Sequence, residues 1–219
     1  MSQTLTITAE QVLASAERIR EDIVRDRRTL HAAPEVGTDL PNTVACVKKR
    51  LLEMGYQPRE LAGGVVAEIT GTETGRCLLL RADMDALPMP EESGEPFACP
   101  TGETAHACGH DMHTAMLLTA AKMLKENEDA LCGTVKLMFQ PAEETFEGAH
   151  AMLENGLLEN PPVDAALAYH VAAGKSPVGF VMYNDSGVMM ASVDGFEITV
   201  HGHGSHGANP TLAIDPINV

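Results

Sequence analysis

Basic residues are scarce in this chain. Fifteen Lys and Arg stand against 31 Asp and Glu, a formal charge of −16, and such a balance repels phosphate backbones and anionic membrane surfaces. Nucleic acid is therefore excluded as an expected partner. Long apolar runs are also lacking: none approaches the roughly 18 residues that a membrane span requires. The opening MSQTLTITAEQ has neither a basic start nor a continuous apolar stretch. These features predict a cytoplasmic protein with no membrane partner. Cysteines are few, five at irregular spacing, without the density of a small secreted disulfide scaffold. Reduced thiols are expected, and only Cys108 is set apart by its neighbours. No internal repeat or low-complexity tract interrupts the chain. What is present is 219 residues with 44% hydrophobic content, enough for one sizeable domain or one domain and part of another.

The apolar periodicity predicts an amphipathic helix from Ala9 to about Ala32, ended by Pro34 and Gly37, and a second from about Pro41 to Met54, stopped by Gly55. Strands follow at Val65–Ile69 and Cys77–Leu80, the second running into RADMDALPMP. The segment Asp111–Asn127, rich in Ala, Leu, Met and Lys, is the strongest helix. A strand at Val135–Phe139 leads into QPAEE, a helix covers Gly148–Asn155, and strands are expected at Ala165–Val171 and Val178–Tyr183. Strands alternating with helices predict an α/β domain with a central mixed sheet flanked by helices over residues 1–186. From Gly187 the pattern changes to an alternating strand, Gly195–His201, then the turn GHGSHGANP. One strand and a helix start cannot bury their apolar faces on each other. Residues 187–219 are thus expected to open a second, incomplete domain, as though the chain were truncated.

The stretch HACGHDMH, residues 106–113, holds three of the nine histidines together with Cys108 and Asp111. Cys108 and His110 would point about 200° apart on a helix but to the same side of an extended loop. Gly109 permits a tight turn and Asp111 is placed to cap the following helix. A thiolate and an imidazole from one loop suit Zn²⁺ or a similar divalent ion, with His113 as an outer partner; such loops also carry histidines that merely hydrogen-bond locally. Further ligands are expected at other strand ends, where loops converge over an open sheet. Glu143 and Glu144 follow one strand. On an extended chain they face opposite sides, so one is read as a ligand and the other as a general base, although a glutamate pair is also a common solvated surface. His170 ends another apolar run, where a structural histidine is the alternative. Asp83 and Asp85 occupy a third strand end, with turn chemistry before Pro88 as the plain reading.

Taken together, RRTLHAAPE (27–35), LRADMDALPM (80–89), HACGHDMH (106–113), QPAEE (140–144), YHV (169–171) and GSHGA (204–208) resemble the metal-dependent amidohydrolases that include hippurate hydrolase, auxin-conjugate hydrolases and N-acyl-amino-acid deacylases. These are a branch of the co-catalytic zinc exopeptidases. The resemblance implies two divalent metal ions, Zn²⁺ or Mn²⁺ with Co²⁺ or Ni²⁺ as alternatives, held by Cys108, His110, Glu144 and His170, with Glu143 as general base. It implies an α+β lid inserted in the catalytic domain, through which the protein forms a homodimer. From that lid His206 would reach a partner's active site and bind the carbonyl oxygen as it becomes an oxyanion, while His201 and His203 read as surface. Other branches carry a metal-binding histidine near the position of Asp83; its absence, with Cys108, points to the amidohydrolase branch. Family members are longer and supply a last histidine ligand after the lid, a position expected beyond Val219. The implied reaction is hydrolysis of the amide bond of N-acyl amino acids. The rival readings are a dipeptidase or aminopeptidase, and a catalytically incomplete fragment acting through metal binding or dimerisation.

Overall fold

Five strands form one mixed sheet in the order β1-β2-β4-β3-β5. They are β1 (Arg59–Leu61), β2 (Gly64–Thr70), β3 (Glu73–Asp83), β4 (Cys132–Gln140) and β5 (Ala165–Ala168). The helices are α1 (Ala9–Arg18), α2 (Arg20–His31), α3 (Pro41–Glu53), α4 (His110–Glu126) and α5 (Gly148–Glu154). The computed structural model describes residues 7–174 and 177–218. The chain up to Gly174 makes one unit and the chain after it another.

β1 and β2 are antiparallel, as are β2 and β4, whereas β3 runs parallel to both β4 and β5. Parallel neighbours need a crossover, and α4 supplies it between β3 and β4. The C-terminal ends of β3, β4 and β5 consequently lie on one edge of the sheet, joined there by the N-terminus of α4. The site is built on that edge.

Both faces of the sheet are covered, as period-two alternation requires. Val65, Ala67, Ile69, Leu137 and Phe139 join Leu117 and Leu118 of α4 in one core, while Val66, Leu79 and Met138 meet Met152 and Leu157 on the opposite face. Fully burying such a side chain contributes about 1.5–3 kcal/mol. The part-exposed Lys122–Asp22 pair that links α4 to α2 is of a kind that contributes about 0–1 kcal/mol. Apolar burial, not ion pairing, therefore seats α4.

Lys136 breaks the apolar pattern of β4 yet is fully buried. Its Nζ donates to the carbonyls of Leu157, Glu159 and Pro161 at 3.0, 2.8 and 3.1 Å, pinning the segment after α5 to the sheet. Lys136→Met keeps the stem but leaves three carbonyls without their donor, at about 1–3 kcal/mol for each one that stays unsatisfied. A lowered urea midpoint by equilibrium unfolding is the expected result, and an unchanged midpoint would refute the role.

Several sequence expectations need correction. The single helix over Ala9–Ala32 is two, parted at Ile19 (φ −103°, ψ 13°). No Gly or Pro marks the break; Ile19 itself is buried, whereas α1 buries none of its own residues, and Val12 and Leu13 are exposed. The strand expected to reach Val171 ends at Ala168. The strands expected at Val178–Tyr183 and Gly195–His201 do not form. Residues 177–218 are exposed throughout, with an isolated bridge between His203 and Ile214 and a 3-10 turn at Pro210–Leu212. An alternating pattern yields a strand only where a neighbour satisfies its N–H and C=O groups, and among the described residues of that unit no strand lies alongside.

Candidate metal centre

Gly109 starts the construction. Its φ of 87° is a left-handed conformation, and it stands immediately before α4, so the chain turns between Cys108 and His110. Cys108 stays in the loop while His110 becomes the first residue of the helix. A Cβ on Gly109 would lie 2.4 Å from Val171 Cγ2, so the position needs glycine for both backbone and space. Gly109→Ala should cost about 1–3 kcal/mol through strain of this kind; a thermal midpoint equal to that of the unaltered chain would contradict this.

His110 is almost wholly buried. Its Nδ1–H donates to the backbone carbonyl of Asp85 at 2.9 Å, and since a carbonyl only accepts, the neutral ring presents a bare lone pair at Nε2. Around Nε2 lie Asp83 Oδ2 at 3.7 Å, Glu144 Oε1 at 3.7 Å and Glu143 Oε2 at 3.9 Å. His170 repeats the arrangement: Nδ1–H donates to the Val171 carbonyl at 2.6 Å, and Nε2 lies 3.5 Å from Cys108 Sγ. Two histidines so held, each with Nε2 free, have the tautomer required of metal ligands.

The glutamate pair differs from its sequence reading. Residues 143–146 form a turn rather than an extended strand, entered through Ala142 at φ 46°. The Glu144 N–H donates to Asp85 Oδ2 at 3.2 Å. Both carboxylates consequently converge on His110 instead of facing opposite ways. Asp111 also departs from expectation: Gly109 is the N-cap with no side-chain cap bond. Asp111 Oδ2 instead meets His31 Nδ1 at 2.7 Å and Arg27 Nε at 2.8 Å, while Glu91 takes the other side of His31 at 2.8 Å. No local spacing signals this buried network, since His31 and Asp111 are 80 residues apart. Asp83 and Asp85, expected at a strand end with turn chemistry as the plain alternative, are fully buried, and Asp83 Oδ2 faces His110 Nε2.

The charge distribution favours a cation. Burial, followed by the neighbouring Glu144, Glu143 and Asp83 carboxylates, pushes the Cys108 thiol up to about 12. Burial would lower His110, but its hydrogen bond to Asp85 and the charges of Asp83, Asp85 and Glu144 raise it above the ordinary imidazole value. Burial also pushes Asp83 upward, yet His113, Arg81 and His110 together hold its carboxyl below the usual range. His110 Nε2 and Glu144 Oε1 are buried without hydrogen-bond partners, and Asp83 Oδ2, ion-paired to Arg81 Nη1 at 2.8 Å, faces the same point. Such atoms are costly unless something satisfies them. Their spacing is too long for hydrogen bonds and suits donors sharing an ion with bonds of about 2.0–2.2 Å. Three donor groups could hold one: Cys108, His110 and His170; His110, Glu143 and Glu144; and Asp83, His110 and His113. The residues fit a divalent metal. His206 belongs to the second unit, where its Nδ1 accepts the Ala208 N–H at 3.2 Å.

The sequence profile of peptidase family M20/M25/M40 matches residues 79–217, from β3 through every proposed site residue. The chain belongs to that family. An N-acetyl-L-cysteine deacetylase of Bacillus subtilis is 41% identical over 219 residues, covering 97% of this chain and 51% of the relative. A hippurate hydrolase of Campylobacter jejuni is 42% identical over 193 residues, covering 87% and 49%. Among solved structures, a dinuclear metal-binding peptidase of the M20 family from Bacillus subtilis matches with a TM-score of 0.65 and 38% identity, over 68% of this chain and 42% of that one. The chain spans about half the length of the curated relatives it matches.

Proposed function

We propose that this M20/M25/M40 chain contributes the metal-binding and proton-handling side of an amidohydrolase that cleaves the amide bond of N-acyl amino acids, hippurate-like or N-acetylated. The observation carrying the reading is the pair of histidines, His110 and His170, each with Nδ1–H spent on a carbonyl and Nε2 free beside Cys108 or the glutamates.

Cys108, His110, Glu144 and His170 are assigned as ligands of two divalent ions, Zn²⁺ or Mn²⁺ by preference and Co²⁺ or Ni²⁺ as alternatives. The dinuclear relative supports the number, and thiolate and carboxylate are donors able to bridge. Bound metal would supply positive charge that acidifies a water and polarises the amide carbonyl. Glu144 is preferred as the ligand because its Oε1 is buried and partnerless, while the side chain of Glu143 is the more open of the two, at 32% against 25% exposure. Glu143 then takes a proton from the attacking water and returns it to the departing amine. Water adds across the C–N bond, leaving a carboxylic acid and a free amino acid. Residues 187–219 are assigned to the opening of a lid through which the protein dimerises, and His206 of the partner subunit to the developing oxyanion. Five free cysteines, one of them needed as a thiolate ligand, support a reducing cytoplasmic location.

The test loads the purified protein with Zn²⁺ or Mn²⁺ and compares hippurate and N-acetyl amino acids with unblocked dipeptides. Turnover confined to the N-acyl compounds is the expected result. Preference for free-amine dipeptides would replace this reading with a dipeptidase, and metal binding without turnover of either class would leave a metal-binding fragment.

A further inference from the structure

His113 is the histidine of HACGHDMH that the proposed chemistry leaves unused. It is buried in the first turn of α4, and both ring nitrogens are engaged. The Val171 N–H lies 2.9 Å from its Nε2. A backbone N–H only donates, so Nε2 must offer a lone pair and the ring proton sits on Nδ1. That proton goes to Asp83 Oδ1 at 2.5 Å, and Asp83 Oδ2 lies 2.8 Å from Arg81 Nη1. With both nitrogens used in this way, His113 has no lone pair left for a metal. The donor group Asp83, His110 and His113 therefore loses one member.

We infer that His113 is a positioning residue that sets where His170 stands, by tethering the Val171 backbone to the end of β3. The inference rests on the reading of His170 as a metal ligand. Two observations carry it. First, His170 has little else to hold it: β5 is a four-residue edge strand exposed along its length, His170 is itself exposed, its Nδ1 bonds only to the carbonyl of its own neighbour, and its Nε2 meets Cys108 Sγ at 3.5 Å. Second, Val171 is gripped from two directions, its N–H by His113 and its side chain by the Cβ-free surface of Gly109, the residue between Cys108 and His110. The His113 ring also lies edge to face against His170, with centroids 4.5 Å apart. Position 171 is thus locked to the ligand loop, and the preceding residue has little freedom to move away from Cys108. A histidine free to leave would bind metal only in the fraction of time it spends in place.

Two polar substitutions separate this role from general support of the fold. His113→Asn can still donate to Asp83 but is too short to reach Val171, whereas His113→Gln can carry its carbonyl oxygen to the site of Nε2. Cobalt(II) is the probe: affinity of the 219-residue chain is measured by chelator competition, with the visible absorption of the bound ion recorded in parallel. The Asn variant should bind about 10–100-fold more weakly, the range seen when an outer partner of a ligand is lost. The Gln variant should keep near-original affinity and spectrum. Any other pattern, including equal loss in both or no loss in either, overturns the inference. His170→Ala is run alongside. If it leaves cobalt affinity unchanged, the ligand reading itself fails; if it weakens binding while His113→Asn does not, only the positioning role is lost.

Discussion

Glu143→Gln is expected to leave bound metal unchanged and to reduce turnover of N-acyl amino acids by about 10²–10⁴-fold, the usual contribution of a positioned general base. The substitution keeps size and hydrogen-bonding shape and removes only the ability to accept and return a proton. Glu143 sits in the turn after β4 with Oε2 3.9 Å from His110 Nε2, near enough to address a water at the site. It is not among the residues with buried partnerless atoms, so loss of its charge should not empty the centre. Metal content by elemental analysis and turnover on the same preparation provide the check. A variant with full activity, or one that loses its metal, would reverse the roles given to the two glutamates.

Removing a ligand should do the opposite. Cys108→Ala and Glu144→Ala are each expected to lose metal by more than the roughly 10–100-fold typical of outer partners, with activity falling in consequence. Cys108 Sγ lies 3.5 Å from His170 Nε2, and Glu144 Oε1 lies 3.7 Å from His110 Nε2. Metal content equal in Cys108→Ala, Glu144→Ala and Glu143→Gln would defeat the whole assignment.

Much of the unit up to Gly174 was legible because its signals are local. The helix at Asp111–Asn127 and the strands at Val65–Ile69, Cys77–Leu80 and Val135–Phe139 each carry their periodicity within a few turns or residues, and the structure places them within a few residues. Ile19 shows where such reading stops: the apolar stripe continues unbroken through the residue at which the helix is interrupted, and no Gly or Pro stands there to mark it. Gly195–His201 shows the converse, a clean alternation with no strand, because pairing is a property of two segments and among the described residues no second one lies beside it. The geometry of the glutamate pair departs from expectation for a similar reason. Their opposite-facing geometry presumed an extended chain, and the turn through Ala142 depends in part on the Gly37 carbonyl that receives its N–H.

What the sequence determined alone was the inventory of chemistry: a thiol and an imidazole separated by one glycine, a glutamate pair, and acids and a histidine at strand ends, which sufficed to suggest a divalent metal. Tertiary structure decided how those donors meet. Cys108 and His170 are 62 residues apart, and Glu144 and Asp85 are 59; their approach follows from β3, β4 and β5 running parallel, which puts three strand ends and the start of α4 on one edge. Hydrogen-bond partners, long-range for His110 and His113 and adjacent for His170, choose the protons. Asp85 and Val171 carbonyls leave Nε2 free on His110 and His170, whereas the Val171 N–H claims it on His113. Three identical side chains thus receive different work from the partners that the fold gives them.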